Sequence, residues 1–164
     1  MFAANVQNMA EIFPETLSAA EFAPFGIVLD TPLGFERVYF DSALANNRAH
    51  ARPSLSLWRL EPLLSDILTV NILERHEFSS QTFLPLDVER YLIIVAPPGN
   101  QPDPTRLRAF VARGDQGITY RSGVWHHGMT ALNSPAAFAV FMWRDGTAED
   151  EQFFRVEPRL HVRL

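Results

Sequence analysis

The chain has 164 residues, 47% of them hydrophobic, and a formal net charge of −5. That length and composition suit one globular domain with a sizeable core, and the acidic balance argues against a general nucleic-acid binder. The absence of Cys excludes disulfides, a thiol nucleophile and thiolate metal ligands. In chain order, residues 1–10 show neither a basic run nor a long apolar stretch, so no leader is expected. No segment approaches the roughly 20 apolar residues of a membrane-spanning helix, so a soluble, cytoplasmic protein without a membrane partner is expected. A hydroxyl at Thr16, helix formers to Phe22 and a stop at Pro24 predict one short helix over 16–22. After it the pattern is β throughout. Strands are predicted over 26–30, 36–41, 54–60, 67–78, 81–84, 90–96, 106–112, 117–121, 124–132, 137–144 and 151–156, with 46–53 a loop. Turn residues punctuate them at Pro97-Pro98-Gly99-Asn100, Arg113-Gly114-Asp115, Asn133-Ser134-Pro135 and Asp145-Gly146. Many short strands at close spacing predict a mainly β sandwich or barrel, with residues 1–50 wrapping its core.

Polar residues interrupt this pattern informatively at two places. Val70, Ile72, Glu74, His76 and Phe78 share one parity of the 67–78 strand, and Thr69, Asn71, Leu73, Arg75 and Glu77 share the other. Side chains alternate across a strand, and the second set is mostly polar. Glu74 and His76 are therefore expected on the inner face, with Arg75 outward. A buried carboxylate and imidazole need a partner: a metal, a substrate or each other. The second place is Trp125-His126-His127. Adjacent strand residues face opposite ways, so at most one of the two histidines joins an inner site; parity leaves open which. Trp125 is either a core aromatic or a substrate platform.

Spacing links the two places. Glu74-x-His76, four residues, then Gln81, and later Arg121-Ser122-Gly123-Val124-Trp125-His126, match the spacing of the two inner-wall motifs of the jelly-roll barrels called cupins. Three substitutions separate them: Glu74 for a His, Gln81 for a Glu, Arg121 for a Pro. The resemblance implies a cupin-like double-stranded β-helix in which Glu74, His76, Gln81 and His126 converge, and it favours His126 over His127. Such mixed nitrogen and oxygen donors suit a divalent ion such as Ni²⁺, Mn²⁺, Fe²⁺ or Zn²⁺. Gln81 could instead bond loop backbone, and Glu74 with His76 could form a structural ion pair. All 14 basic residues are Arg, and Arg binds carboxylates at two points; Arg121 is the candidate clamp. Arg59 and Ser79-Ser80 are weaker candidates, and Tyr39, Tyr91 and Tyr120 read as packing residues. No Gly-rich phosphate loop is present, so no nucleotide cofactor is expected.

The stretch Leu73-Glu74-Arg75-His76, followed by Ser80-Gln81 and Pro85-Leu86, resembles the first signature of the ureidoglycolate lyase family. The stretch Gly117 to Tyr120, followed by Gly123-Val124-Trp125-His126-His127, resembles its second. The similarity runs from about residue 12 to the C-terminus. The resemblance implies a homodimer that cleaves ureidoglycolate to glyoxylate and urea in allantoin breakdown. It implies Glu74, His76 and His126 as catalytic or metal-binding residues, with Gln81 a further ligand. Arg121, Gln81, His127 and Trp125 would contact substrate. The alternative is a cupin enzyme or binding protein for another small polar carboxylate metabolite.

Overall fold

The computed structural model describes residues 11–164, so the expectation about residues 1–10 lies outside the described residues. In chain order the elements are β1 (Glu11–Ile12), β2 (Glu15–Thr16), α1 (Ala19–Phe22) and β3 (Gly26–Asp30), then the barrel strands. These are β4 (Arg52–Leu60), β5 (Ile67–His76), β6 (Gln81–Asp87), β7 (Arg90–Ala96), β8 (Arg108–Arg113), β9 (Gln116–Tyr120), β10 (Trp125–His126), β11 (Thr130–Leu132) and β12 (Ala136–Arg144), with β13 (Glu151–Arg163) last.

Pairing identifies the architecture. One sheet runs β3-β9-β6-β12-β4; the other runs β1-β13-β5-β10-β7-β8-β2, with β11 also on β7. If β10 and β11 count as one interrupted strand, β4 to β12 are eight strands. The first pairs with the eighth, the second with the seventh, the third with the sixth and the fourth with the fifth. A long antiparallel hairpin rolled up in this way is a jelly roll. The expected mainly β, cupin-like barrel is the fold this pairing builds.

Two apolar clusters hold it. The first fills the barrel between the sheets, with Phe22, Phe83, Tyr91, Ile93, Phe110, Ile118 and Phe138 among its buried members. The second covers the other face of β5, β7 and β8, with Leu73, Leu92, Ile94, Ala109, Trp125, Leu160 and Val162. Alternation makes β7 serve both: Tyr91, Ile93 and Val95 point one way, Leu92, Ile94 and Ala96 the other. The second cluster exists because the larger sheet curls. Its edge strands β1 and β2 pair in parallel with β13 and β8, and only Phe13-Pro14 separates them. The two edges are thus held within about 10 Å, the reach of three residues.

Several boundaries differ from expectation. Thr16 does not cap the helix: it is taken into β2 by pairing with Val111, and Ser18 caps instead, its Oγ accepting from Glu21 N. The helix is a single turn whose use is to insert Phe22, edge-on to Phe110 at 5.8 Å. Residues 36–40 form no strand, because Val38, Tyr39 and Phe40, although suited to one, meet no neighbouring strand, and 41–43 make one 3-10 turn. The predicted strand 124–132 is broken at 127–129. His126 pairs with Val95 and Thr130 with Leu92, so one extra residue is accommodated opposite β7. Such bulges re-aim the side chains beside them.

Candidate functional site

Two barrel strands deliver three polar side chains to one point. Glu74 and His76 leave the inner face of β5, and His126 leaves β10, whose backbone pairs directly with Glu74. One ligand-competent atom from each of the three lies within 4.8 Å of the other two. His126 Nε2 stands 3.3 Å from Glu74 Oε1, and the His76 and His126 ring centroids are 5.9 Å apart. Tyr120 stacks on His126 at 4.3 Å and nearly parallel, which fixes the ring plane. Gln81 is the cross-strand partner of Tyr120 and so shares its inner face. The sequence expectation for Glu74, His76 and His126 holds in placement, and His126 rather than His127 points inward.

The polar atoms of this cluster are short of partners. His126 Nδ1 is 3.0 Å from Val124 O. A carbonyl can only accept, so that nitrogen carries the proton and a neutral ring presents an unprotonated Nε2 to Glu74 Oε1. Two acceptors then face each other and need a cation between them: a proton or a metal. Both nitrogens of His76, Gln81 Oε1, Tyr120 Oη and His126 Nε2 are buried without a hydrogen-bond partner. Buried polar atoms are seldom left so. The donor set is one carboxylate, two imidazoles and one amide oxygen, which fits a borderline divalent ion.

Electrostatics point the same way. Burial pushes the Glu74 carboxyl up, but the facing His126, together with His76 and His127, outweighs it and holds the group below the ordinary carboxylate value. Burial and the neighbouring His126 push His76 down, against the opposing pull of Glu74 and Asp150. His127 is also lowered, by burial first. The site therefore favours the charged form of Glu74, while burial favours the neutral form of His76, the state in which an imidazole ligates a metal. Burial pushes Tyr120 well up, so its phenol is a neutral hydroxyl.

Other expected residues are not gathered here. Trp125 lies on the opposite face of β10 from His126, within the second apolar cluster. Its indole donates to Gly99 O at 3.0 Å and Arg75 stacks on its ring at 4.7 Å. The structure thus makes it a packing residue rather than a platform. Arg75 is not solvent-facing as its parity suggested; it is outward but buried, because the curled sheet covers that face, and it also binds Gln152. Arg121 is exposed and donates to Ala23 O. It lines a cleft of 310 Å³ with Ile27, Ser42, Thr119 and Ser122, and that cleft shares no residue with the Glu74 cluster. His127 is half-buried, its Nδ1 2.8 Å from Gly128 O. Arg59 is exposed beside Asp87.

Beneath His76 lies a network that sequence reasoning missed. Asp150, 5% exposed, accepts from Phe78 N at 2.6 Å, from Ser79 Oγ, and from Arg48 Nη2 at 3.2 Å. Arg48 also binds Asp145 at 2.7 Å and Trp143 O at 3.0 Å. A cavity of 160 Å³ opens beside it, lined by Arg48, His76, Trp143, Arg144, Thr147 and Asp150 among others. The only sequence signal was an acidic cluster, Glu149-Asp150-Glu151, just before a strand.

Against this geometry the comparisons are specific. The family model described as ureidoglycolate lyase matches residues 9–163. The chain belongs to the ureidoglycolate lyase family. Among the relatives of that family is the ureidoglycolate lyase of Azotobacter vinelandii, 39% identical over 159 residues, covering 89% of this chain and 93% of the relative. That of Pseudomonas fluorescens is 38% identical over 165 residues, covering 93% and 96%. The Schizosaccharomyces pombe ureidoglycolate lyase is 44% identical over 88 residues, covering 50% and 46%. Among solved structures, RmlC from Streptococcus suis, determined in complex with dTDP-D-xylose, aligns with a TM-score of 0.39 at 14% identity, covering 81% of this chain and 56% of that one. The two family signatures end on the strands that carry Glu74, His76, Gln81 and His126.

Proposed function

We propose that the protein is a lyase that cleaves ureidoglycolate to glyoxylate and urea, and that Glu74, His76 and His126 are its working centre. The observation that carries this is the meeting of those three side chains on the inner barrel wall, with both His76 nitrogens and His126 Nε2 unpartnered, in a chain of this family. Ureidoglycolate has one carbon bearing a hydroxyl, a carboxylate and a urea nitrogen. Its cleavage moves one proton from the hydroxyl to the departing nitrogen while a C=O bond forms and the C–N bond breaks. It needs no external nucleophile and no redox cofactor, which suits a chain without Cys or a nucleotide loop.

Glu74 is the base in this proposal. Its side chain is 24% exposed, whereas that of His126 is 2% exposed, so Glu74 is the member substrate reaches. A charged carboxylate accepts the hydroxyl proton and then returns it to the urea nitrogen, one group serving as base and acid in turn. One Glu74 oxygen faces His126 Nε2 at 3.3 Å, leaving the other for substrate. A bound divalent ion, held by Glu74, His76, His126 and Gln81, would supply Lewis-acid polarisation of the substrate hydroxyl and carboxylate oxygens. Arg121 is not given the carboxylate here, since its guanidinium serves Ala23.

Two further expectations belong to this proposal. A homodimer is supported by the outer face of the five-stranded sheet, where Leu55, Leu57 and Leu84 are exposed, and by Leu33 and Phe35, which are fully exposed on the connection after β3. Exposed apolar surface of this kind marks association sites; sedimentation of wild type against Leu57→Arg tests it, with a monomeric wild type the contrary result. A cytoplasmic setting accords with a cysteine-free chain, which draws nothing from an oxidising compartment. Among the described residues no helix is long and apolar enough to cross a membrane. Release of urea from ureidoglycolate by purified protein, with a chelator and then with Ni²⁺ or Mn²⁺ restored, tests the activity itself.

A further inference from the structure

We propose that Asp150 is a positioning residue for the site: it fixes the tautomer of His76 and, through the 77–80 turn, the spacing between His76 and Gln81. The inference rests on the reading of Glu74, His76 and His126 as the working centre.

Asp150 Oδ2 lies 3.8 Å from His76 Nδ1, and the residue after Asp150 pairs with His76 across β13 and β5. The carboxylate is already anchored by three donors: Phe78 N, Ser79 Oγ and Arg48 Nη2. It cannot move without breaking them. His76, by contrast, is buried with neither nitrogen hydrogen-bonded. A fixed carboxylate facing Nδ1 favours the tautomer with its proton there. Nε2 is then left unprotonated as the ligating atom. A carboxylate hydrogen-bonded to the second nitrogen orients a ligating histidine, and its loss typically costs 10–100-fold in metal affinity (an order-of-magnitude range); Asp150, at 3.8 Å, acts on the His76 ring through its charge.

The same residue governs the turn between two donors. Glu77 N donates to Asp150 O, Phe78 N to Oδ1 and Ser79 Oγ to Oδ2. From the other side, Asn47 N donates to Phe78 O and Ser80 N to Ala45 O, while Ser80 Oγ accepts from Ala45 N. The four residues separating His76 from Gln81 are thus bonded on both sides. Arg48 ties the two supports together, because it binds Asp150 and follows directly on the 45–47 segment.

Nitrogen-15 NMR of the histidine rings tests this in metal-free protein, with His76→Gln used to assign the His76 signals. The expected result is a protonated Nδ1 and an unprotonated Nε2 in wild type, and loss of that preference in Asp150→Asn. A wild-type His76 carrying its proton on Nε2, or an unchanged tautomer in Asp150→Asn, overturns the proposal. The companion measurement is competition for Ni²⁺ against a chromogenic chelator. Asp150→Asn should bind about 10–100-fold more weakly, whereas Ser79→Ala, which removes one anchor but leaves the carboxylate, should retain most of the wild-type affinity. Equal weakening in both variants overturns the tautomer claim. If wild type binds no metal, the metal part of the functional reading fails, while the ring-nitrogen spectrum still decides the role of Asp150.

Discussion

Replacing His76 by Leu should separate function from stability. The imidazole is 4% exposed and neither nitrogen has a hydrogen-bond partner. A buried polar group left unsatisfied costs about 1–3 kcal/mol, and a side chain of similar volume refits a core site at a cost of under about 1.5 kcal/mol. Metal-free His76→Leu should therefore be more stable than metal-free wild type by about 1 kcal/mol. For a domain of this size that is a rise in Tm of about 2–4 °C. Asp150 keeps its three other donors, so no new orphan is made. Turnover moves the other way: loss of His76 should lower kcat/KM for ureidoglycolate by on the order of 100-fold or more, or at least about 2.7 kcal/mol in the barrier. Calorimetry of chelator-treated protein and a urea-release assay measure the two arms. A metal-free Tm several degrees below wild type would show that the ring serves the fold. Near-wild-type urea release from the folded variant would refute the catalytic reading.

Metal-free protein should lose stability in two stages as pH falls. His76 and His127 are lowered by burial, so their folded-state values lie below the ordinary His value near 6.5 and the unfolded chain binds more protons between the two. Stability is full above about pH 6.5 and falls as pH drops toward the folded values. Glu74 is lowered too, which adds a second loss below about pH 4.5; chemical denaturation across a pH series in chelator checks both, and stability flat from pH 7 to about 5 would contradict the first. Arg48→Met should destabilise by about 3–5 kcal/mol, since it takes the cation away from the buried Asp150 carboxylate. Urea denaturation at neutral pH measures that loss, and a change under about 1 kcal/mol would mean the network is solvent-screened.

The site was readable from the chain where its logic is local. Glu74 and His76 are two apart and share a face as parity requires, and the Gly123 to His126 spacing carried His126 to the same wall. But Val70, counted with them, packs with Leu73 in the outer cluster and Ile72 is exposed, because the register of β5 against β13 shifts between those residues. Parity also had a consequence for Trp125: once His126 faces inward, its neighbour on β10 must face outward. Arg75 defeated the same counting, because its face is buried by a sheet that curls through strands distant in the chain. Residues 36–40 carry a strand pattern, yet a pattern makes a strand only where a neighbour offers hydrogen bonds. Asp150 had no local signature. Its partners Arg48 and Ser79 lie 102 and 71 residues away, and separations of that order leave no periodicity to detect. Gln81 was legible as an inner-wall residue, while Tyr120, read as packing, proves also to hold the His126 ring.

The central claim is that cleavage occurs at the Glu74–His76–His126 cluster. Its most direct test is urea release from ureidoglycolate by wild type and by Glu74→Gln, a substitution that keeps the shape and removes the charge and the base. The account predicts steady release by wild type and a fall on the order of 100-fold or more in the folded variant. Equal release by both would contradict it.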